Sequence, residues 1–275
     1  MKKKELKDKV IIISGASGGI GQAVAKLFDE LGANLVLSDI NEKGIADLSN
    51  QLSRKPIFIK CDVTNLEQVK NLYKKTLEKF GRIDFLINTV GIIIPAAFED
   101  TTYEDIEKQV RINLFGTIHL EKEIIPIMKK QGKGHIITIS SLAGIVPETY
   151  SSIYSATKFA LRGLNFTLNI ELAKQGIIVS TIFPDSVDTP MLRYEAAHGG
   201  SPISFIHEPI PPEKVAKAIL KAVLKEKVEV CVPRSEGMLS KFAMCFPKLI
   251  QWMWPKYEIK GEAKKQEYAK KAEDK

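Results

Sequence analysis

The sequence predicts an α/β protein, a doubly wound three-layer sandwich built on a seven-stranded parallel sheet. Three observations point there. Short β-branched runs alternate with longer amphipathic stretches along the chain. The runs are apolar almost throughout, as expected of strands covered on both faces. Helical patterns separate them, so right-handed crossovers can join parallel neighbours.

In chain order the strand runs are VIII (10–13), NLVLS (34–38), PIFIK (56–60), IDFLIN (83–88), GHIITIS (134–140), IIVSTIF (177–183) and VEVCV (228–232). Helical patterns fall near 19–31, 42–52, 65–80, 102–131, 151–174 and 212–226. Two regions break the rhythm. Residues 184–211 are rich in Pro, Gly and Ser and follow the sixth strand. A long insertion there overhangs the carboxyl ends of the strands, where ligands bind in such sheets. Residues 237–254 follow the last strand and are strongly apolar. No repeat or linker divides the chain. Residues 1–234 read as one catalytic domain, and 235–275 as an apolar helical extension with a charged tail.

The 275 residues are 44% hydrophobic, enough for one large domain with a full core. The net charge of +7 sits largely at the two ends, MKKKELKDK and KGEAKKQEYAKKAEDK. Solvated tails are the plain reading, and attraction to an anionic lipid surface the alternative. Basic residues are not interleaved with aromatics along a groove, so nucleic-acid binding is not expected. Cys61, Cys231 and Cys245 are odd in number and widely spaced. That suits a reducing cytoplasm and speaks against a disulfide framework. His119, His135, His198 and His207 are scattered without metal-ligand spacing, so no metal is expected.

VIIISGASGGIGQAVAKLF places Gly15, Gly19 and Gly21 between a strand and a helix. Glycine is needed where backbone turns sharply or must touch a pyrophosphate, and a helix N-terminus offers N–H groups to the phosphates. An acid, Asp39, ends the next strand. The arrangement is Rossmann-like. A carboxylate at that point accepts both ribose hydroxyls of NAD. It would repel the 2′-phosphate of NADP by roughly 4 kcal/mol for charges ~4 Å apart at an effective dielectric of ~20. No Arg lies beside Asp39 or inside the loop to offset that. NAD is therefore expected over NADP, unless Asp39 only caps the helix starting near Asn41.

YSSIYSATKFA (150–160) carries Tyr154 with Lys158 four residues on. Hydride transfer at a secondary alcohol or ketone needs a group that removes or supplies the hydroxyl proton. A free tyrosine is too weak a base at neutral pH, but a nearby ammonium favours the phenolate. Positions i and i+4 share a helix face, so the pair is pre-positioned. A serine hydroxyl opposite can hold the substrate oxygen. Tyr150, lacking a lysine four residues on, reads as a wall or hydrogen-bonding group of the substrate pocket.

These motifs together resemble the classical short-chain dehydrogenase/reductase family over residues 8 to about 232. SGASGGIG resembles its TGxxxGxG loop, CDVT (61–64) its adenine-contact turn, NTVG (88–91) its NNAG turn, YSATK its YxxxK box and PDSVDTP its PGxVxT segment. The resemblance implies a cofactor site formed by Gly15, Ser17, Gly18, Gly19, Ile20, Gly21, Asp39, Ile40, Cys61, Asp62, Val63, Asn88, Val90, Gly91, Tyr154, Lys158, Pro184, Val187 and Thr189. It implies Asn113, Ser141, Tyr154 and Lys158 as the catalytic set. The family spacing of thirteen residues from serine to tyrosine selects Ser141 over Ser140. Asn113 is implied to distort its helix and to hold a water linking Lys158 to solvent. Three departures stand out: Thr89 and Val90 replace Asn and Ala, Gly18 replaces a serine, and Asp185 replaces the glycine of Pro-Gly. Asp185 faces either the nicotinamide and substrate mouth or solvent.

The expected substrate pocket is lined by Ile93, Leu142, Tyr150, Met191 and Leu192, with Ile92, Ile94, Ala143, Val146 and the loop 203–206 nearby. These residues are mostly apolar, which suggests a hydrophobic alcohol or ketone. A homodimer or homotetramer is expected. The 237–254 stretch packs on the domain or a second subunit, lies on a membrane, or caps the pocket; Pro247 is a kink or a helix start. Two other functions compete with catalysis: a non-catalytic NAD sensor or scaffold, and a peripheral membrane protein.

Overall fold

A computed structural model describes residues 2–273. The strands are β1 (Val10–Ser14), β2 (Asn34–Asp39), β3 (Ile57–Lys60), β4 (Phe85–Asn88), β5 (Gly134–Ile139), β6 (Ile177–Pro184) and β7 (Glu229–Val232). They form one seven-stranded sheet in the order β3-β2-β1-β4-β5-β6-β7, and every pairing is parallel. The chain reverses its direction of travel between β1 and β4, so a crevice opens at their carboxyl ends.

Alternation along β1 shows how the sheet is sandwiched. Ile11 and Ile13 join one apolar cluster, with α1 (Gly19–Glu30) and α8 (Pro212–Lys225). Ile12 points into the other, with α3 (Leu66–Phe80) and α5 (Gly116–Gln131). Both faces of the strand are buried, which is why its sequence reads as a continuous apolar run. The other helices are α2 (Glu42–Gln51), α4 (Tyr103–Gln109), α6 (Ser152–Leu172), α7 (Pro190–Ala197), α9 (Arg234–Ala243) and α10 (Pro247–Glu273).

Two expected elements differ in detail. The single helix expected near 102–131 is α4 and α5 joined by a π-helical segment, Val110–Phe115, with Asn113 inside it. The C-terminal tail, expected to be solvated, is helical as far as Glu273, and its last two residues lie outside the described residues. Pro247 is the first residue of α10, and the helix continues past Pro255. Its later turns pack on α7 and on the 3₁₀ turn Pro202–Phe205, while α9 packs on β7.

One buried carboxylate lies off the sheet crevice. Glu121 on α5 accepts from Thr138 Oγ1 at 2.7 Å. With its amide turned to satisfy both ends, Asn165 also donates to Glu121 and accepts from Thr181 Oγ1. Burial pushes the Glu121 carboxyl up from 4.5 to about 7. Its folded-state pKa lies above the unfolded value, so the native state binds the extra proton between those limits. Stability should therefore fall as pH rises through that window, then level off. Glu121→Gln keeps an acceptor for Thr138 and cannot ionise. Thermal melts should show the variant more stable than wild type at about pH 8, by on the order of 3 kcal/mol, with the gap closing near pH 5. A gap of equal size at both pH values would refute the account.

Candidate active site

The loop after β1 is shaped by close approach. Gly15 has φ +80, and a Cβ there would lie 2.7 Å from Thr89 Oγ1 and 2.9 Å from Val90 N. A Cβ on Gly21 would come within 2.2 Å of the Gly15 carbonyl oxygen. Side chains are therefore excluded at Gly15 and Gly21 in the turn that opens α1. Its N-cap, Gly18, brings no side-chain cap, and the first turn holds no acid. The helix N-terminus thus presents backbone N–H groups to the crevice, a fit for a pyrophosphate.

Asp39 ends β2 beside this loop. Its two carboxylate oxygens accept from Ser17 N and Asn41 N, each at 3.0 Å. Helix α2 has its own cap, since Asn41 Oδ1 accepts from Gly44 N. Asp39 therefore does more than cap that helix: it ties the glycine loop to the end of β2. Around these groups lies an open cleft of about 320 Å³. Of the residues expected to hold a dinucleotide, Gly15, Ser17, Gly18, Gly19, Ile20, Gly21, Asp39, Ile40, Cys61, Asp62, Val63, Val90, Gly91 and Thr189 line it. Asp62 is held in place by Thr64, whose N and Oγ1 both donate to Asp62 Oδ1.

A second cavity, of about 100 Å³, adjoins the cleft and shares Ile20, Thr89, Val90, Gly91, Thr189 and Met191 with it. Ser141, Tyr154, Lys158, Pro184 and Val187 line this second space. Tyr154 and Lys158 sit one turn apart on α6, and Lys158 Nζ is 5.4 Å from the Tyr154 ring centroid. Lys158 Nζ also donates to the Ile139 carbonyl at 3.2 Å. Ser141 is a hydrogen-bonding neighbour of the Tyr154 phenol, and its Oγ accepts from Ala143 N at 3.1 Å. Ser140 instead donates to the Lys158 backbone carbonyl and anchors α6 to the end of β5.

Asn113 is fully buried in the π segment. Its Oδ1 accepts from Ile92 N at 2.8 Å, and its Nδ2 donates to Ile92 O at 2.9 Å and to Thr157 Oγ1 at 3.2 Å. The side chain thus clamps the strand of backbone after Gly91 to α6. A Cβ on Gly91 would lie 3.2 Å from Lys158 Nζ and 3.6 Å from Asn113 Oδ1, so the three positions are adjacent.

Several residues expected at the site lie elsewhere. Asn88 lines neither space. It is buried, donates to Thr117 Oγ1, and accepts from Val90 N, so it shapes the turn from below. Leu142 turns into the core with Ile145 and Phe183, because the chain after Ser141 winds into a 3₁₀ turn. Tyr150 precedes α6, is 47% exposed, has φ +58, and lies outside the cavity. Ile93, Met191 and Leu192 do line it.

The expected apolar residues are only part of the wall. Glu148, Asp185, Glu195 and Ser204 also line it. Asp185 therefore faces the cavity, with its Oδ1 accepting from Ser186 N at 2.9 Å and its Oδ2 3.7 Å from His207 Nδ1. Glu148 and Glu195 were invisible in the sequence. Glu148 sits in a Pro-Glu-Thr turn that reads as solvent-facing, and Glu195 on a short helix inside the irregular insertion.

These carboxylates bear on the tyrosine. Burial, together with Glu148 and Glu195, pushes the Tyr154 phenol well above its ordinary 10, and the Ser141 hydrogen bond opposes this. Burial in turn lowers the Lys158 ammonium to about 8. Glu195 is raised to about 7 by burial, against the hydrogen bond from Ser204 and the charge of Lys265.

Comparison with known proteins matches the arrangement. The family model described as short chain dehydrogenase matches residues 9–199. An uncharacterised oxidoreductase of Staphylococcus aureus (strain USA300) is 34% identical over 223 residues, covering 81% of this chain and 94% of that protein. A short-chain dehydrogenase/reductase from Burkholderia phymatum in complex with NAD superposes with a TM-score of 0.82 at 25% identity, over 89% of this chain and 96% of the other. ElxO with NADP bound superposes at 0.73 and 29% identity, over 82% and 96%.

Proposed function

The chain belongs to the short-chain dehydrogenase family, and from that premise we propose that it is an NAD(H)-dependent oxidoreductase interconverting a secondary alcohol and its ketone. The observation that carries this is the placing of Tyr154, Lys158 and Ser141 in a cavity continuous with the glycine-loop cleft. The cleft would hold the dinucleotide, whose chemistry when bound is to accept or donate the hydride. NAD is favoured over NADP because Asp39 is fixed at the end of β2 by two backbone N–H groups.

The chain's own residues handle the proton. Ser141 holds the substrate oxygen and steadies charge developing on it. Tyr154 transfers a proton to that oxygen in ketone reduction and takes it back in alcohol oxidation. In the surroundings described, the phenol is held protonated, the form that donates. Lys158 stands beside the ring and eases loss of the proton by its positive charge. Asn113 holds the Ile92 backbone and α6 in register around Lys158, and we place it in the relay that returns the proton to solvent.

The substrate reading is a small carbinol or ketone with one apolar flank against Ile93, Met191 and Leu192. Its other flank meets Glu148, Asp185, Glu195 and Ser204 and should carry hydrogen-bond donors. A homodimer or homotetramer is supported by Phe115, Phe159, Phe166 and Ile170, which stand exposed on neighbouring helical segments.

A panel of apolar and hydroxylated secondary alcohols, offered with NAD and with NADP and followed by absorbance of the reduced nicotinamide, tests the reading. Turnover with NAD on alcohols combining an apolar and a hydroxylated side is expected. NAD binding by calorimetry with no turnover across the panel would instead favour a nucleotide sensor on the same fold.

A further inference from the structure

The C-terminal helices have two unlike faces. Helix α9 turns Gly237 onto β7, where a Cβ would lie 2.1 Å from Cys231 Cβ. From the same side Lys241 pairs with Glu229, which also binds Arg162. The opposite side carries Met238, Leu239 and Phe242, each 60–64% exposed, followed by Phe246. Helix α10 repeats the pattern. At roughly 100° per residue, Leu249, Trp252, Lys256 and Ile259 share one face. Gly261, Lys265 and Tyr268 lie about half a turn away from it.

The Gly261 face is firmly seated. A Cβ there would meet Pro202 O at 2.0 Å. Lys265 Nζ donates to Gly200 O at 2.8 Å, Lys264 Nζ to Ile206 O at 2.6 Å, and Tyr268 OH to Asp188 Oδ1 at 3.0 Å. Tyr268 and Ala269 pack on Leu192, Ala196 and Phe205. These contacts hold the segment 188–206, whose Leu192, Glu195 and Ser204 wall the substrate cavity. The other face is turned largely to solvent: Trp252 is 65% exposed and Ile259 76%.

Charge says what would cover it. From Gly237 to Tyr257 there is no acidic residue, and the charged side chains are Lys241, Lys248 and Lys256. Lys248 makes no ion pair among the described residues, and Lys256 lies over the Trp252 ring at 4.4 Å. An apolar, aromatic surface fringed only by lysines complements a bilayer with anionic headgroups. Rings enter the acyl boundary, and lysine stems snorkel toward phosphate. A second copy of the chain would bring the same uncompensated positive charge to the contact. No helix among the described residues is long and apolar enough to cross a membrane.

We propose that α9 and the first half of α10 dock on an anionic lipid surface, while the second half of α10 ties that surface to the segment over the substrate cavity. The docking is independent of which alcohol the site takes.

The full chain is tested by flotation with vesicles of phosphatidylcholine alone and of phosphatidylcholine with phosphatidylglycerol. Wild type should float with the mixed vesicles and far less with the neutral ones. A Lys248→Gln/Lys256→Gln double variant should partition roughly 30-fold more weakly on the anionic vesicles. A Leu239→Ser/Phe242→Ser/Trp252→Ser variant should not float at all, yet melt and bind NAD as wild type does, since these side chains project into solvent. Wild type that stays unbound on anionic vesicles, or binds both vesicles equally, overturns the proposal. So does a serine variant that converts an oligomer to monomers on sedimentation, because a second copy would then be the cover.

Discussion

Tyr154→Phe is expected to lower kcat by at least about 10³-fold while leaving NAD affinity unchanged. The ring is what packs: it lies with Ile93, Ala143 and Met191 in a small apolar cluster, and phenylalanine preserves those contacts. The hydroxyl is the group proposed to react, and it shares the cavity with Ser141 and Lys158. Calorimetry with NAD and steady-state turnover on the best alcohol of the panel separate the two functions. Full turnover in the variant would remove Tyr154 from the chemistry. Loss of NAD affinity instead would show that the hydroxyl matters to cofactor binding.

Asp39→Asn is expected to shift the ratio of kcat/KM for NADP over NAD by up to roughly 10³-fold, the equivalent of the ~4 kcal/mol repulsion removed. The side chain keeps its shape and can still accept from one of Ser17 N and Asn41 N, so the loop stays near its native course. The amide nitrogen must face the other N–H, so some loss of NAD affinity accompanies the shift. An unchanged ratio would mean that Asp39 serves only as the tether between loop and strand.

Much of this was legible because it is local or periodic. Ile11, Ile12 and Ile13 read as a two-sided strand because both faces are in fact covered. Gly15, Gly19 and Gly21 read as a cradle because only the backbone fits there, and Tyr154 with Lys158 because a helical turn brings them together. What stayed hidden depends on contacts between distant segments. Glu148 and Glu195 reach one cavity from either side of α6 and β6, and nothing in their neighbours announces it. Leu142 is apolar in either place, so its type could not separate wall from core. Tyr150 read as a pocket wall from its place one turn before Tyr154, but α6 begins at Ser152 and the helical phase does not extend back to it. The lysine-rich tail has a solvated composition, yet Lys264 and Lys265 spend their charge on backbone carbonyls of the insertion.

Those last contacts bear on when the enzyme becomes complete. Lys265 and Tyr268 reach back 65 and 80 positions to Gly200 and Asp188. A chain leaves the ribosome amino end first, at about 5–20 residues per second. The sheet, the glycine loop and the Tyr154–Lys158 pair can thus assemble while the wall over the substrate still lacks its buttress. Nascent or prematurely terminated chains should hold a dinucleotide before they can hold a substrate, and full competence arrives only with the final turns of α10.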